Sequence, residues 1–291
     1  YSRLQKKIDL QTASLADEEE IQRLNEMVDR LREIAEEKVD PQRGRALRSK
    51  VSYLNRFVSR QIKAPFVEIR QPGIRLPQVE APEEPVELLK VEDYALSFEE
   101  KLLEAVTFAV HSGEKVALVG ANGTGKTSML REIWKNEHPA IHYAEDASPA
   151  FFSQLHAEIL SEENTIRQEF EDLGFDSAEE IEAHLMNYCF EPDSLHRKIG
   201  HLSGGEKNLL QLAKLSVSGA NLLLLDEPSS HLDTFAQIAL EDAIAAYKGA
   251  VLMVSHDFYT IVNCADTILF VENGGIRPMS ARAFRKMIYK K

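Results

Sequence analysis

The chain has 291 residues, 44% apolar and 28% charged, with a formal net charge of −13; this is the composition of an ordinary soluble globular fold. No apolar run approaches the ~18 residues that cross a bilayer as a helix, and the acidic balance argues against indiscriminate nucleic-acid binding. The two cysteines, Cys189 and Cys264, make neither a metal-ligand spacing nor a disulfide framework, so a reducing, cytoplasmic setting is expected.

Residues 1–80 differ from everything after them. From Ser2 to Lys38 there is no Gly or Pro, and Ile21, Leu24, Val28, Leu31 and Ala35 form an apolar seam at helical steps. Asp40–Gly44 breaks the helix, and a second amphipathic stretch, Arg45–Ile62, carries Leu47, Val51, Leu54, Val58 and Ile62 on one side. Two such helices predict an antiparallel hairpin over residues 1–64. Between Arg43 and Arg75 nine basic residues stand against Glu68 alone, a block suited either to a polyanion or to a solvated helix face. Residues 65–87, with Pro65, Pro72, Pro77, Pro82 and Pro85 among glutamates, read as an extended linker. The chain opens on Tyr1, which reads as a piece of a longer protein.

Residues 88–291 are expected to form the compact domain. Short strands are predicted at Leu88–Val91, Ala95–Phe98 and Leu103–Val110. The apolar strand Val116–Val119 then runs into Gly120-x-x-x-x-Gly125-Lys126-Thr127 and a helix over about Thr127–Trp134. This is the phosphate-cradling P-loop pattern. Its glycines let backbone N–H groups converge on an anion, Lys126 reaches the β/γ-phosphates, and the Thr127 hydroxyl ligates Mg²⁺. Residues from Leu155 to Ile199 read as a mostly helical subdomain (about 155–200). Leu202-Ser203-Gly204-Gly205-Glu206 opens a helix running through Leu215 and offers a second anion nest. Leu222–Leu225 is a fully buried strand by composition, ending in Asp226 and Glu227. Asp226 is placed to hold Mg²⁺ and Glu227 to polarise an attacking water. A helix at Ile238–Tyr247 and strands at Val251–Val254 and Ile268–Val271 complete an α/β domain with a parallel central sheet. Trp134 is read as packing, and His111, His138 and His142 as surface or satisfied core residues.

The order P-loop, Gln154, LeuSerGlyGlyGlu, AspGluPro, Ser255-His256 resembles the ATP-binding cassette (ABC) family over about residues 88–272. The resemblance implies a P-loop NTPase nucleotide-binding domain with a reduced helical subdomain, and ATP sandwiched between the P-loop of one cassette and the LeuSerGlyGlyGlu signature of another. It implies phosphate contacts from Gly120, Asn122, Gly123, Thr124, Gly125, Lys126, Thr127 and Ser128, with Ser203, Gly204 and Gly205 contacting nucleotide across the pair. Gln154 matches the glutamine that senses Mg²⁺ and the attacking water, so the metal set is Thr127, Gln154 and Asp226. Glu227 is the catalytic glutamate, His256 the switch histidine and Asp233 the end of the D-loop that crosses to the partner. Phe98 stands where an aromatic residue stacks on adenine, with Tyr94 competing for the role.

Glu227-Pro228-Ser229-Ser230-His231-Leu232-Asp233 and Gly205-Glu206-Lys207 look like the ABC-F class, soluble two-cassette proteins that act on ribosomes. Ser229-Ser230 and Phe258-Tyr259 depart from that class's usual residues. A helical hairpin before the cassette is what an inter-cassette linker followed by a C-terminal cassette would look like. The implied partners are a second cassette, from the same full-length chain or a second copy, and ribosomal RNA through the hairpin. The alternative is the ATPase subunit of an ABC transporter, which gives no account of the hairpin. A coiled-coil DNA-repair ATPase is excluded, because only about 95 residues separate the P-loop from Leu222.

Overall fold

The computed structural model describes residue 23 and residues 72–80, 84–97 and 101–288. Apart from residue 23, the expected hairpin over 1–64 with its basic arm, and Phe98, lie outside the described residues.

The central sheet has six strands: Lys115–Gly120 (β3), Pro149–Phe152 (β5), Leu222–Asp226 (β6), Ala250–Val254 (β7), Thr267–Glu272 (β8) and Gly275–Ser280 (β9). Their spatial order is β5-β6-β7-β3-β8-β9, all parallel except the edge hairpin β8–β9. Alternate residues of the inner strands enter two separate cores. Val116, Leu118, Leu222, Leu224, Ala250 and Leu252 face one side, while Ala117, Val119, Leu223, Leu225, Val251 and Met253 face the other. Both faces are covered, so these strands read as unbroken apolar runs rather than an alternation.

One face is covered by helix α1 (Lys126–Lys135) and a three-stranded antiparallel sheet of Glu87–Ser97 (β1), Lys101–His111 (β2) and Ile141–Tyr143 (β4), in the order β2-β1-β4. The two short strands predicted at 88–91 and 95–98 are one strand. A register shift falls between Val91 and Tyr94, at Asp93, whose φ is +57°. The intervening polar Glu92-Asp93 bulges out of the ladder instead of ending it.

The other face carries α2 (Ala178–Met186), α3 (Gly204–Ser216), α4 (Thr234–Ala246), α5 (Phe258–Cys264) and α6 (Ala281–Ile288). The expected helical stretch 155–199 is much less helical than its composition suggests. It holds α2 and three short 3₁₀ turns, with a fourth at Ile199–His201. Ile166, Phe170, Leu195 and Ile199 are buried there, tied by Ile166–Arg197 and Arg167–Leu195 backbone hydrogen bonds. Tertiary burial of scattered apolar residues overrides the Glu-rich helical propensity.

The proline-rich stretch is packed against the domain over part of its length. Ile74 and Leu76 are buried, the Gly73 N–H donates to Asn187 O at 2.7 Å, and the Tyr188 hydroxyl donates to Arg75 O at 3.1 Å and accepts from Arg75 N at 3.3 Å. Tyr188→Phe removes both hydroxyl contacts while keeping the ring, and should cost about 1–2 kcal/mol. Urea unfolding reads the loss, together with faster amide exchange at Arg75; unchanged exchange there would show that the hydroxyl does not hold the strap.

Candidate nucleotide site

Four neighbouring parallel strands end at one level. Phe152 pairs with Leu225, Asp226 with Val254, and Val254 with Leu118. The segments leaving these ends are Gln154 after β5, Asp226-Glu227 at β6, Ser255-His256 after β7 and the P-loop after β3. Residues separated by as much as 136 positions in sequence, Gly120 to His256, thereby meet at the carboxyl edge of the sheet, where ligands of open α/β sheets bind. A cavity of about 590 Å³ opens there, lined by Asn122, Gly123, Gly125, Lys126, Thr127, Ser128, Gln154, Glu227 and His256, with Leu102 and Ser230. Sequence reasoning had named the first nine. Ser230 lay inside a quoted motif without a role, and nothing in the sequence marked Leu102.

The P-loop turns through Gly123 and Gly125, at φ +78° and +88°. At Gly125 a Cβ would also press on the tip of the Leu96 side chain, at 2.7 Å from Cδ2, so it is the left-handed conformation that demands glycine. The Lys126 ammonium folds back on the loop, donating to Gly120 O at 3.0 Å and Ala121 O at 2.7 Å. Burial lowers its pKa, and the nearby Glu227 and Asp226 carboxylates oppose that shift.

Thr127 Oγ1 donates to Asp226 Oδ1 at 2.9 Å, joining the start of α1 to the end of β6. Asp226 Oδ2 is buried without a hydrogen-bond partner, and burial raises the Asp226 pKa. Among the described residues no group of three or more His, Cys, Asp and Glu could hold a metal. A hydroxyl and a carboxylate beside a phosphate cradle instead form the sparse oxygen set that suits Mg²⁺, which takes its remaining ligands from water and phosphate. The orphaned Oδ2 fits that role.

Glu227 sits at φ +51°, a left-handed conformation uncommon for a side-chain-bearing residue. Its N–H donates to Val254 O at 2.9 Å, which holds the chain across the end of β7. The carboxylate accepts the His256 N–H at Oε2 (3.2 Å), and His256 Nε2 lies 3.4 Å from Oε1. That second approach is close enough for attraction but lacks hydrogen-bond geometry, so Oε1 remains an orphaned buried acceptor. Burial pushes the Glu227 pKa up, and His256 draws it back in part.

The signature lines a different surface. Ser203 caps α3 through a capping box with Glu206: the Ser203 N–H and hydroxyl both donate to Glu206 Oε2, at 2.8 and 2.7 Å, and Glu206 N donates to Ser203 Oγ. Burial disfavours the Glu206 carboxylate, but the Ser203 donors and Arg197 outweigh it and hold its pKa below the usual range. At Gly205 a Cβ would lie 2.8 Å from His231 O, so the glycine lets the D-loop pack directly on the signature. None of Ser203, Gly204 and Gly205 lines the P-loop cavity. Asp233, expected to cross to a partner, caps α4 by accepting from Phe235 N and Ala236 N.

Tyr94 is eliminated as an adenine platform. It is fully buried, its hydroxyl donates to Glu132 Oε2 at 3.0 Å, and the His138 ring meets it edge-on at 4.9 Å. Trp134 stacks on Phe151 at 5.7 Å, a packing role. Arg131, Glu158, Asn208 and Gln211 were missed. Gln211 alone had a visible signal, a polar residue inside the apolar run Leu209–Ala213.

The raised Glu227 pKa has a consequence for stability. A carboxyl harder to ionise in the folded state costs stability wherever it is charged, and the cost vanishes below its unfolded-state pKa. In metal- and nucleotide-free buffer Glu227→Gln should therefore raise the thermal midpoint near neutral pH. The gain should shrink as pH falls through the folded-state pKa towards the unfolded one. Thermal melts across that range test it, and a destabilised variant at neutral pH would contradict the assignment.

Comparison with known proteins agrees with the fold. A family model described as "ABC transporter" matches residues 103–230. The chain is 35% identical over 221 residues to ABC transporter F family member 2 of Arabidopsis thaliana, covering 74% of this chain and 32% of that protein. It is 34% identical over 167 residues to the erythromycin resistance ATP-binding protein MsrA of Staphylococcus epidermidis, covering 57% of this chain and 34% of that protein. The chain thus spans about a third of the length of these curated relatives. A solved structure of an ATP binding subunit of an ABC transporter superposes with a TM-score of 0.58 at 25% identity, over 69% of this chain and 93% of that one. The chain thus contains an ATP-binding cassette domain, and over it the chain is similar to proteins of the ABC-F class.

Proposed function

We propose that this cassette hydrolyses ATP held between its own P-loop cavity and the signature of a second cassette, and that closure of the pair is coupled to action on the ribosome. The observation that carries the hydrolytic reading is the meeting of Lys126, Thr127 and Glu227 in one cavity at the sheet edge, with the buried Asp226 hydrogen-bonded to Thr127 behind its wall.

The P-loop N–H groups and the N-terminus of α1 receive the phosphates, and Lys126 exchanges its loop carbonyls for phosphate oxygens. Thr127 and Asp226, with Gln154 reaching in from β5, would hold Mg²⁺, which supplies positive charge against the β- and γ-phosphates. Glu227 orients a water at the γ-phosphorus and takes its proton as the new P–O bond forms. A pKa raised by burial brings it nearer the working pH of a general base. His256, fixed by its own N–H on Glu227, faces the same cavity and donates to a γ-phosphate oxygen. Lys126 stabilises charge on the departing β-phosphate oxygen.

The signature lies outside the cavity, which supports completion by a partner: the other cassette of a longer chain, or a second copy. An isolated half should therefore turn over slowly. The ribosome reading rests on the ABC-F motifs, on the resistance protein among the relatives and on the basic block Arg43–Arg75; contacts of that block with RNA phosphates would be steeply salt-dependent. Among the described residues no helix is long and apolar enough to cross a membrane. We place the protein in the cytoplasm, and the transporter alternative is not favoured.

In the full-length protein, Lys126→Ala should weaken ATP binding, while Glu227→Gln should keep it and lower turnover by about 10²–10⁴-fold. Nucleotide binding and phosphate release separate the two effects, and substantial hydrolysis by Glu227→Gln would remove its role as base. The same variant should pellet with ribosomes when ATP is present, less so at high salt. Absence of pelleting with ATP bound would refute the ribosome reading alone.

A further inference from the structure

The face of α3 beyond its capped start carries two polar side chains, Asn208 and Gln211, three positions apart and therefore on one side of the helix. Both are buried, at 1% and 2% exposure. The Asn208 amide donates to Ser230 O in the D-loop. Gln211 reaches the residue before Gln154: its Oε1 accepts Ser153 N at 3.0 Å, and its Nε2 donates to Ser153 O, also at 3.0 Å. The second Nε2 hydrogen faces His156 Nδ1 at 2.7 Å. With the ring proton on Nε2, His156 Nδ1 accepts it. Gln211 is thus fully satisfied and grips one peptide segment by both its donor and its acceptor.

The same segment is held from the P-loop side. Ser153 Oγ contacts Glu158 Oε2 and accepts Leu155 N, and Glu158 Oε1 lies 3.2 Å from Arg131 Nε on α1. Ser153 itself has no exposed surface, whereas Gln154 projects into the cavity. The backbone that aims Gln154 is therefore suspended between α1 and α3.

We propose that Gln211 is a positioning residue for Gln154, locking the segment after β5 to the signature helix α3 so that engagement of the signature at one nucleotide sets the aim of Gln154 at the other. The inference rests on the reading of the cavity as an ATP site and adds the regulation of that site. A rigid displacement of α3 carries the Ser153 peptide with it, because separation would orphan a buried N–H and a buried C=O together. Asn208 transmits the same displacement to the D-loop.

The test uses the full-length protein and a double-mutant cycle. Gln211→Met keeps the volume and removes both amide contacts; Gln154→Ala removes the residue it serves; Leu210→Ala, buried on the same helix, is the packing comparator. A misaimed group costs rate rather than affinity, so Gln211→Met should lower kcat about tenfold with ATP affinity within about twofold and a raised Mg²⁺ requirement. The Gln154→Ala/Gln211→Met double variant should be no slower than Gln154→Ala alone. Multiplying effects, an unchanged kcat, or the same kcat loss in Leu210→Ala would overturn the proposal. If Gln211→Met is too unstable to measure, Gln211→Glu, which keeps the acceptor for Ser153 N and loses the donor for Ser153 O, takes its place in the same cycle. A wild-type rate in Gln154→Ala would instead remove the role of Gln154, a failure of the underlying reading that the cycle separates from the first.

Discussion

The site depends on the parallel register of β5, β6, β7 and β3. In a parallel sheet each strand delivers its carboxyl end to the same edge, and the pairings Phe152–Leu225, Asp226–Val254 and Leu118–Val254 bring those ends level. The register is enforced by burial, since a one-residue slip would exchange the residues assigned to the two cores. Val, Leu and Met side chains that never touch nucleotide thus determine where Lys126, Asp226, Glu227 and His256 stand. The Thr127–Asp226 hydrogen bond then links the loop after one strand to the tip of another.

The chemistry is assembled against the preference of these groups for water. Asp226 is buried and Glu227 partly so, each with one buried oxygen lacking a hydrogen-bond partner, and Glu227 also holds a left-handed backbone. Buried unpaired acceptors and strained dihedrals are costs a fold carries where the groups are needed for something else. A cation held beside Asp226 would offset part of that cost, which is why the proposed Mg²⁺ set includes this carboxylate. Lys126, resting on its own loop carbonyls, is the complementary case of a cation satisfied provisionally.

Much of this was legible in the sequence because the motifs lie at element boundaries, where local rules are strict. A glycine forced by φ, a lysine and threonine opening a helix and a carboxylate pair closing an apolar strand identify themselves without knowledge of the tertiary fold. The Leu155–Ile199 region did not, because its Glu-rich composition favours helix while Ile166, Phe170, Leu195 and Ile199 are drawn into the core by turns. Tyr94 could be weighed for adenine only while its burial was unknown. Strand β9 was missed because Pro278 argues against a strand except at an edge, which is where β9 lies. Gln211 needed three dimensions, since its partners are 58 and 55 residues away.

The central claim is that this chain holds only half of each nucleotide site. The most direct measurement is ATP turnover by mixing two variants of the chain: Ser203→Arg, with an intact P-loop and a blocked signature, and Lys126→Ala, with an intact signature and a disabled P-loop. The account predicts that each alone is inactive and that the mixture recovers part of the wild-type chain's rate, through pairs containing one complete site. Wild-type turnover by Ser203→Arg alone, or an inactive mixture beside an active wild-type chain, would contradict it.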